Sequence, residues 1–250
     1  MQYGICHLSL IPVRTNTDRR AELVTQLLYG EHFKVLERRK AQSRIRNAYD
    51  DIEGWADNNQ FTLIDEGEFR KIESAKSMKF ASDLVSYIET GQKTLMPLIL
   101  GSSVGPEKLL KHQFEGASLE RRQIKSKLLD TALQYLHAPY LWGGKTPFGI
   151  DAPGFVQMVY KINGYRLLRQ VQQQAGQGEA LSFLEESDPG DLAFFDNQEG
   201  QIDHVGLLMG DNHIIHSFGQ VRIDRIDHTG IFNKELGSYT HKLRVLKKII

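Results

Sequence analysis

Residues 140–155, with the sequence YLWGGKTPFGIDAPGF, are a glycine-rich turn that leads into a predicted helix. Apolar residues recur every four positions over 119–136, which predicts an earlier helix with Ser118 as its N-cap. The helix after the turn runs roughly over 153–162 and ends at Asn163-Gly164. The turn therefore delivers the chain to a helix N-terminus, where backbone N–H groups and the helix dipole favour negative charge.

Strands follow the two helices after a short glutamine-rich stretch. Apolar and β-branched runs bounded by turns predict them. The predicted strands cover residues 192–195, 204–209, 213–216 and 221–226. Helices first and strands afterwards, in one stretch of chain, predict an α+β domain over residues 118–250.

The first third of the chain is rich in short predicted strands. Residues 6–13 are apolar, residues 44–48 alternate between polar and apolar, and a glycine precedes Trp55 where the unit ends. Several short strands at close spacing predict a small β-barrel over residues 1–65. A second, divergent β unit is predicted over residues 66–117, which makes three domains in all.

The composition excludes several classes of function. The 250 residues include 31 basic and 31 acidic side chains, so the chain lacks the strongly basic character of a nucleic-acid-binding domain. One cysteine, Cys6, excludes an intrachain disulfide and predicts a buried structural thiol. No run approaches the roughly 18 apolar residues of a membrane span. Without a signal peptide we expect a cytoplasmic protein, or a periplasmic or secreted one if a leader has been removed.

Two histidines lie on neighbouring predicted strands in the same domain as the helix start. Cysteine-protease chemistry needs a thiol nucleophile, an imidazole that takes its proton and a third polar group that orients the imidazole. His204 and His216 can face each other across a turn, with their rings within hydrogen-bond reach. By themselves they support only a hypothesis, because a histidine on a strand is usually structural or exposed.

A series of motifs resembles the NlpC/P60 family of papain-like cell-wall cysteine peptidases. The similar stretches are residues 140–144, 149–151, 154–155, 188–192, 204–206 and 214–216. The first third resembles a bacterial SH3-like (SH3b) domain at residues 13–14, 30–31, 44–46 and 54–55. The resemblance implies a papain-like domain preceded by one or two small SH3b barrels. The nearest subgroup is the γ-D-glutamyl-L-diamino acid endopeptidases, bacterial enzymes that cut peptidoglycan stem peptides carrying a free N-terminal L-alanine.

The resemblance implies a role for each matching residue. His204 matches the general base and His216 matches the orienting group, while Tyr140 and Asp151 match residues beside the site. Glu22 matches an SH3b acid that lines the amino end of the substrate. The implied ligand is a peptidoglycan-derived peptide, and we expect no cofactor and no metal.

The clearest departure from the family pattern is at the nucleophile. After the aspartate the family has Cys-Ser-Gly-Phe, whereas this chain has Ala152-Pro153-Gly154-Phe155. Alanine has no nucleophilic atom. Relative to the family's serine, Pro153 also lacks a backbone N–H and a hydroxyl group on the same side of the site. A proline in the first turn is compatible with a helix, so Pro153 does not prevent the helix from forming. The chain as written is therefore expected not to cleave peptides.

The region that would hold the amino end of the substrate departs as well. Where the subgroup has Arg-Asp-Ala, this chain has Arg169-Gln170-Val171. Loss of the aspartate that would pair with the substrate's ammonium group typically costs about 2–5 kcal/mol of binding. Ile52 stands in place of a tyrosine, and Phe218 stands in place of a small residue. Several changes in one site favour natural loss of activity over a single laboratory substitution.

The sequence leaves four functions open. We favour a remodelled binding module for a cell-wall peptide, another small ligand or a partner protein, with an apolar, uncharged group in the pocket. The alternative is an active murein-peptide endopeptidase whose cysteine has been replaced by alanine in the laboratory. A metal enzyme would need a third ligand, such as Asp203 or Asp151, to converge with His204 and His216. A fourth hypothesis is an interaction scaffold that keeps only the fold.

Overall fold

A computed structural model of the chain describes residues 1–75 and 78–250. These residues form two compact units, Met1–Arg121 with Trp142–Thr146, and Arg122–Leu141 with Pro147–Ile250. Strands dominate the chain and helices are few, which fits the expected α+β class with β-rich N-terminal modules. The predicted β unit over 66–117 includes residues 76–77, which lie outside the described residues. The boundaries of the three predicted domains stay a prediction.

The first unit opens with a seven-stranded antiparallel sheet. Its strands are β1 (Gln2–Cys6), β2 (Leu10–Arg14), β3 (Leu23–Leu28), β4 (His32–Arg38), β5 (Gln42–Asn47), β6 (Glu53–Asp57) and β7 (Phe61–Ile64). They are ordered β3-β2-β6-β5-β4-β1-β7. Alternate residues of these strands, such as Ile11, Leu27 and Phe33, are fully buried and form the core. Cys6 belongs to this core, as expected.

The first unit continues with a short helix, α1 (Glu66–Glu73). Its N-terminus is a capping box, because the Asp65 carboxylate accepts the Glu68 N–H at 2.8 Å and the Glu68 carboxylate accepts the Asp65 N–H at 2.9 Å. The short strands that follow are β8 (Phe80–Ala81), β9 (Val85–Glu89), β10 (Leu95–Ile99), β11 (Gln113–Phe114), β12 (Ser118–Leu119) and β13 (Lys145–Thr146). Strands β10, β9 and β11 form one small sheet, and β12 pairs with β8.

Residues 142–146 belong to the first unit although they are distant from the rest of it in sequence. The Lys145 ammonium lies 3.0 Å from the Glu31 carboxylate, and both side chains are buried. The Lys145 backbone N–H also donates to the Gln26 side-chain oxygen at 2.8 Å. A buried ion pair is strongly destabilising to break from one side, so these contacts fix the segment in place.

The second unit holds the remaining helices. They are α2 (Lys127–Leu133), α3 (Ala152–Ile162), α4 (Val171–Ala175) and a 3-10 turn at Leu184–Glu186. Almost every residue of α3 is buried, which makes it the central helix of the unit. It ends at Asn163-Gly164 as predicted, and Gly164 has a φ of +83°, a left-handed conformation that favours glycine. No helix among the described residues has the length and hydropathy of a membrane span.

Among the described residues, the second unit contains eight strands, six of which close into a barrel. They are β14 (Gly149–Ile150), β15 (Glu179–Leu181), β16 (Leu192–Asp196), β17 (Ile202–Gly210), β18 (His213–Phe218), β19 (Gln220–Ile226), β20 (Gly230–Asn233) and β21 (Ser238–Lys248). The sheet runs β15-β21-β16-β17-β18-β19-β20, and β20 pairs back with β21 to close a ring of six strands. Helix α3 packs against β17 and β18. The four strands predicted between residues 192 and 226 are confirmed.

Three predicted elements are wrong. The helix predicted over 119–136 shrinks to α2, because Ser118 does not cap a helix but pairs with Ala81 in a β-ladder. The apolar run 6–13 is two strands, because a turn lets β1 pair with β4 while β2 pairs with β3. Residues 66–73, predicted to lie in a β unit, are helical, because the Asp65–Glu68 capping box starts a helix there.

Candidate active site

The helix N-terminus that the sequence predicted as the nucleophile position lies where expected. Asp151 is the N-cap of α3, and its carboxylate accepts the Gly154 N–H at 2.7 Å. The Arg169 guanidinium donates to the same carboxylate at 2.6 Å, and both side chains are buried. Pro153 occupies the first turn of the helix, where a missing N–H is tolerated.

Ala152 is the first residue of α3 and is 3 % exposed. Its methyl group cannot attack a carbonyl carbon or lose a proton, so this position supplies no nucleophile. The single thiol of the chain does not replace it. Cys6 lies in the first unit, its thiol donates to the Leu8 carbonyl oxygen at 3.2 Å, and burial raises its pKa above the range in which a thiolate forms.

The two predicted histidines lie together on adjacent strands. The Nε2 atom of His204 on β17 lies 2.9 Å from the Nδ1 atom of His216 on β18. His216 stands directly opposite Gly206 in the ladder, so His204 is its diagonal neighbour on the same face. A Cβ at Gly206 would lie 2.9 Å from the Cβ of His216, which is too close. The absence of a side chain at Gly206 therefore allows β18 to pack closely against β17 at His216.

A carboxylate on β19 completes a chain of hydrogen bonds. The Asp224 carboxylate lies 3.1 Å from Nε2 of His216 and receives two hydrogen bonds from the Arg222 guanidinium, at 2.7 and 3.1 Å. Burial raises the pKa of Asp224, but hydrogen bonds from His216 and Arg222 outweigh it and hold that pKa below its usual range. Asp224 is therefore an ionised acceptor.

The protonation state of the pair follows from this chain. Burial lowers the pKa of His216, although Asp224 acts to raise it, and burial lowers the pKa of His204 well below its usual value. Both rings are therefore neutral. Because an ionised carboxylate can only accept, Nε2 of His216 carries the proton and its Nδ1 accepts from Nε2–H of His204. Nδ1 of His204 is left with its lone pair, the state that a general base requires.

A third histidine, on β21, joins this pair and was missed at the sequence level. The His241 ring stacks on His204 with ring centroids 4.0 Å apart, and it meets His216 edge-on at 5.6 Å. Burial lowers the pKa of His241 to about 4, and the neighbouring His216 adds to this effect, because the two rings repel each other when both are protonated. Phe218 packs edge-on against His241 at 4.9 Å, so it covers one side of the histidine cluster.

The other predicted residues of the second unit lie on its surface. The Tyr140 side chain is 42 % exposed, its backbone N–H donates to the Gly219 carbonyl oxygen at 2.9 Å, and burial, aided by the charge of Asp151, raises its pKa. Phe218 is 39 % exposed, and Gln170 is exposed at the start of α4. The uncharged side chain of Gln170 therefore presents an amide to solvent where the resemblance expects a carboxylate.

Two predicted residues belong to the first unit. Glu22 is exposed and precedes β3, whereas Ile52 is buried with 6 % of its surface accessible. Their roles toward a substrate stay predictions. The metal hypothesis gave Asp203 and Asp151 as examples of a third ligand, and neither converges with His204 and His216. Asp151 is committed to Arg169 and the helix cap, and Asp203 is exposed on the strand face opposite to His204.

The sequence held usable signals for the residues that were missed. Residues 239–245 alternate tyrosine, histidine, leucine and valine with polar residues, the period of a half-buried strand that would have placed His241 on its inner face. The signal for Asp224 is weaker, because Val221, Arg222, Ile223 and Asp224 alternate as in a strand with an exposed polar face, and only the structure shows that Asp224 is buried. A buried acid in a strand predicts a charged or hydrogen-bonded partner.

Two parts of the chain match known protein families. Residues 137–239 match the NlpC/P60 family, and residues 13–61 match the bacterial dipeptidyl-peptidase SH3 domain. The chain therefore carries an NlpC/P60 domain preceded by an SH3 domain, and it is related to the NlpC/P60 cell-wall peptidases.

Similar proteins and structures support the same assignment. The chain is 33 % identical over 139 residues to a gamma-D-glutamyl-L-lysine dipeptidyl-peptidase of Bacillus subtilis, a match over 52 % of this chain and 47 % of that protein. It is 26 % identical to dipeptidyl-peptidase 6 of Lysinibacillus sphaericus over 84 % of this chain and 86 % of that protein. The crystal structure of an NlpC/P60 family protein from Bacillus cereus has the same fold, with a TM-score of 0.82, 17 % identity and 99 % coverage of both chains.

Proposed function

We propose that this NlpC/P60-domain protein is a catalytically inactive relative of the cell-wall γ-D-glutamyl peptidases that binds a peptide or another ligand in a remodelled site. One observation carries the proposal. Ala152 stands at the N-terminus of α3, the position of the nucleophile in the family pattern, while the base and its orienting partner are hydrogen-bonded at 2.9 Å. An acyl transfer that needs a covalent nucleophile cannot start there.

The ligand preference follows from the altered residues of the second unit. A free amino terminus on a substrate needs a carboxylate partner, and Gln170 provides only a neutral amide. A missing partner costs about 2–5 kcal/mol of binding for a buried charge, and less at an exposed position such as that of Gln170. The accessible ring of Phe218 adds apolar surface beside the histidine cluster. A ligand with an uncharged or apolar end therefore fits better than a peptide with a free ammonium group.

The candidate ligands are a peptidoglycan-derived peptide with a blocked amino end, another small ligand and a partner protein. The name of the Bacillus subtilis relative, a gamma-D-glutamyl-L-lysine dipeptidyl-peptidase, favours a γ-D-glutamyl peptide among these. The cytoplasmic location expected from the sequence belongs to the proposal as well, and fractionation of cells that express the native gene tests it.

Calorimetric titration with the tripeptide L-Ala-γ-D-Glu-diaminopimelate, free and N-acetylated, tests the proposal. We expect no hydrolysis by the protein as it stands, and at least about tenfold tighter binding of the acetylated peptide. Gln170→Asp is the matched variant, because it restores the charge, and it should reverse the preference. Hydrolysis by the unaltered protein would contradict the proposal. Tight binding of the free peptide, with full activity on Ala152→Cys substitution alone, would instead establish an active enzyme disarmed at one position.

A further inference from the structure

The histidine cluster of the second unit has the make-up of a metal site. His204, His216 and His241 each offer a ring nitrogen, and these three atoms lie within 4.8 Å of one another. Imidazole nitrogen is the donor that zinc and the late first-row transition ions prefer among neutral side chains. Two of the rings are buried and the third is partly buried, so the cluster is shielded from most of the solvent.

His216 is held as a metal-binding histidine is usually held. Its Nε2–H donates to the Asp224 carboxylate at 3.1 Å, and Arg222 fixes that carboxylate with two hydrogen bonds. A carboxylate behind the ring sets the tautomer and raises the donor strength of the opposite nitrogen. Nδ1 of His216 therefore directs its lone pair into the cluster, toward His204.

His241 offers a matching donor. Among residues 1–75 and 78–250 its hydrogen bond is the one between Nδ1 and the Thr240 hydroxyl, at 2.9 Å. A hydroxyl can accept the Nδ1 proton, which leaves Nε2 with its lone pair. The ring stacks on His204 at 4.0 Å and is only partly buried, so part of it is accessible to solvent.

We propose that His204, His216 and His241 bind one divalent transition-metal ion of the zinc class, with a fourth coordination position left for water or a ligand atom. Tetrahedral zinc with bonds of about 2.0–2.1 Å places donor nitrogens roughly 3.3 Å apart. The His204–His216 pair at 2.9 Å has to open by about 0.4 Å. The widest separation is at most 4.8 Å and has to close by no more than about 1.5 Å, which requires His241 to rotate toward the other two rings.

Binding of the ion needs no net change in protons. Nε2 of His204 gives up its hydrogen bond to His216 and binds the ion, and the proton of that ring moves to Nδ1. His216 keeps its proton on Nε2 and His241 keeps its proton on Nδ1. Three neutral rings then hold a dication whose open position can take a donor atom of a ligand. This inference does not depend on the peptide-binding proposal.

Titration of the chelator-treated full chain with Co²⁺ tests the site, because a tetrahedral Co²⁺ centre absorbs visible light far more strongly than the hydrated ion. We expect one equivalent to produce the intense spectrum and Zn²⁺ to displace it. His241→Gln should abolish the spectrum. Asp224→Asn should weaken the affinity roughly 10–100-fold, because it removes only the carboxylate behind His216. His213→Gln, on the same strand as His216 but outside the cluster, is the matched control and should bind like the unaltered protein.

Two results would overturn the site. One is a weak, octahedral spectrum of the unaltered protein, and the other is equal affinity of His241→Gln and His213→Gln. A measurement without variants guards against misfolded substitutions. Ring-nitrogen NMR of the unaltered protein should show three histidines changing shift with one equivalent of Zn²⁺. Shifts confined to exposed histidines such as His228 would mean adventitious binding only.

Discussion

The two sides of the candidate active site differ in the chemical groups that they carry. The side formed by the N-terminus of α3 carries Ala152 and Pro153, neither of which has a nucleophilic atom. The side formed by β17, β18 and β19 keeps an unbroken chain of hydrogen bonds from His204 through His216 to the Asp224 carboxylate.

The difference follows from what each side does for the fold. A small residue at the start of a helix can be exchanged with little effect on packing, and proline is favourable in the first turn. The buried imidazoles, in contrast, satisfy one another and a buried carboxylate, so the loss of one ring leaves a polar group without a partner in a low-dielectric interior. The same distinction applies to Asp151, which lies beside Ala152 but has a structural role, because it caps α3 and pairs with Arg169.

The largest effect is expected when the structural part of the nucleophile side is broken. Arg169→Ala leaves the Asp151 carboxylate buried without its cation, and removal of one partner of a buried pair costs about 3–5 kcal/mol. Denaturant unfolding measures this loss. Arg225→Ala is the matched control, because Arg225 is an exposed arginine of the same unit, and it should change stability by less than about 0.5 kcal/mol. Equal effects of the two variants would show that the ion pair does not support α3.

The histidine cluster should make the stability of the metal-free protein depend on pH. The pKa of His241 falls from 6.5 to about 4, and those of His204 and His216 also fall, so the unfolded chain binds more protons between these values. Stability is therefore complete above pH 6.5 and is lost progressively as the pH falls toward 4. His241 alone accounts for roughly 3 kcal/mol of that loss. Denaturant unfolding across this pH range measures it.

A substitution at the same position isolates the histidine contribution. His241→Phe keeps an aromatic ring against His204 but cannot be protonated, so its stability should fall less steeply with acid. Identical pH profiles of this variant and the unaltered protein would contradict the assignment of a neutral, buried cluster.

A smaller effect is expected at the rim of the histidine side. Phe218→Ala removes an edge-on contact with His241, and such aromatic pairs contribute about 0.5–1.5 kcal/mol. We expect a stability loss of about 1 kcal/mol and faster modification of His241 by a histidine-specific acylating reagent. Tyr239→Ala, which removes another exposed ring on β21, should leave that modification rate unchanged. No change of the rate in Phe218→Ala would mean that Phe218 does not cover the cluster.

The sequence predicted the parts of the site that local patterns encode. The start of α3 follows from a capping aspartate and a proline in the first turn, and the pairing of His204 with His216 follows from two strands joined by a turn. The helix predicted over 119–136 failed for the opposite reason. Its apolar spacing suits a helix, but pairing of β12 with β8 takes its first residues into a ladder, and tertiary contacts override propensity.

The remaining site residues could not be found by local reasoning. His241 joins the cluster because β21 closes the barrel between β16 and β20, a pairing between segments far apart in sequence. Asp224 reaches His216 through the register of β18 and β19, in which His216 lies opposite Arg222. A shift of that register by one residue would turn the carboxylate to the other face.

The pKa of a thiol introduced by Ala152→Cys tests most directly whether the histidine side is intact beside a vacant nucleophile position. Alkylation rates across pH give this value, and buried Cys6, whose pKa burial raises, is the unreactive internal control. We expect the introduced thiol to titrate well below the roughly 8.5 of a free cysteine, because the helix N-terminus and His204 favour the thiolate. A value at or above that of a free cysteine would contradict the account, since His204 would then not be poised as a base.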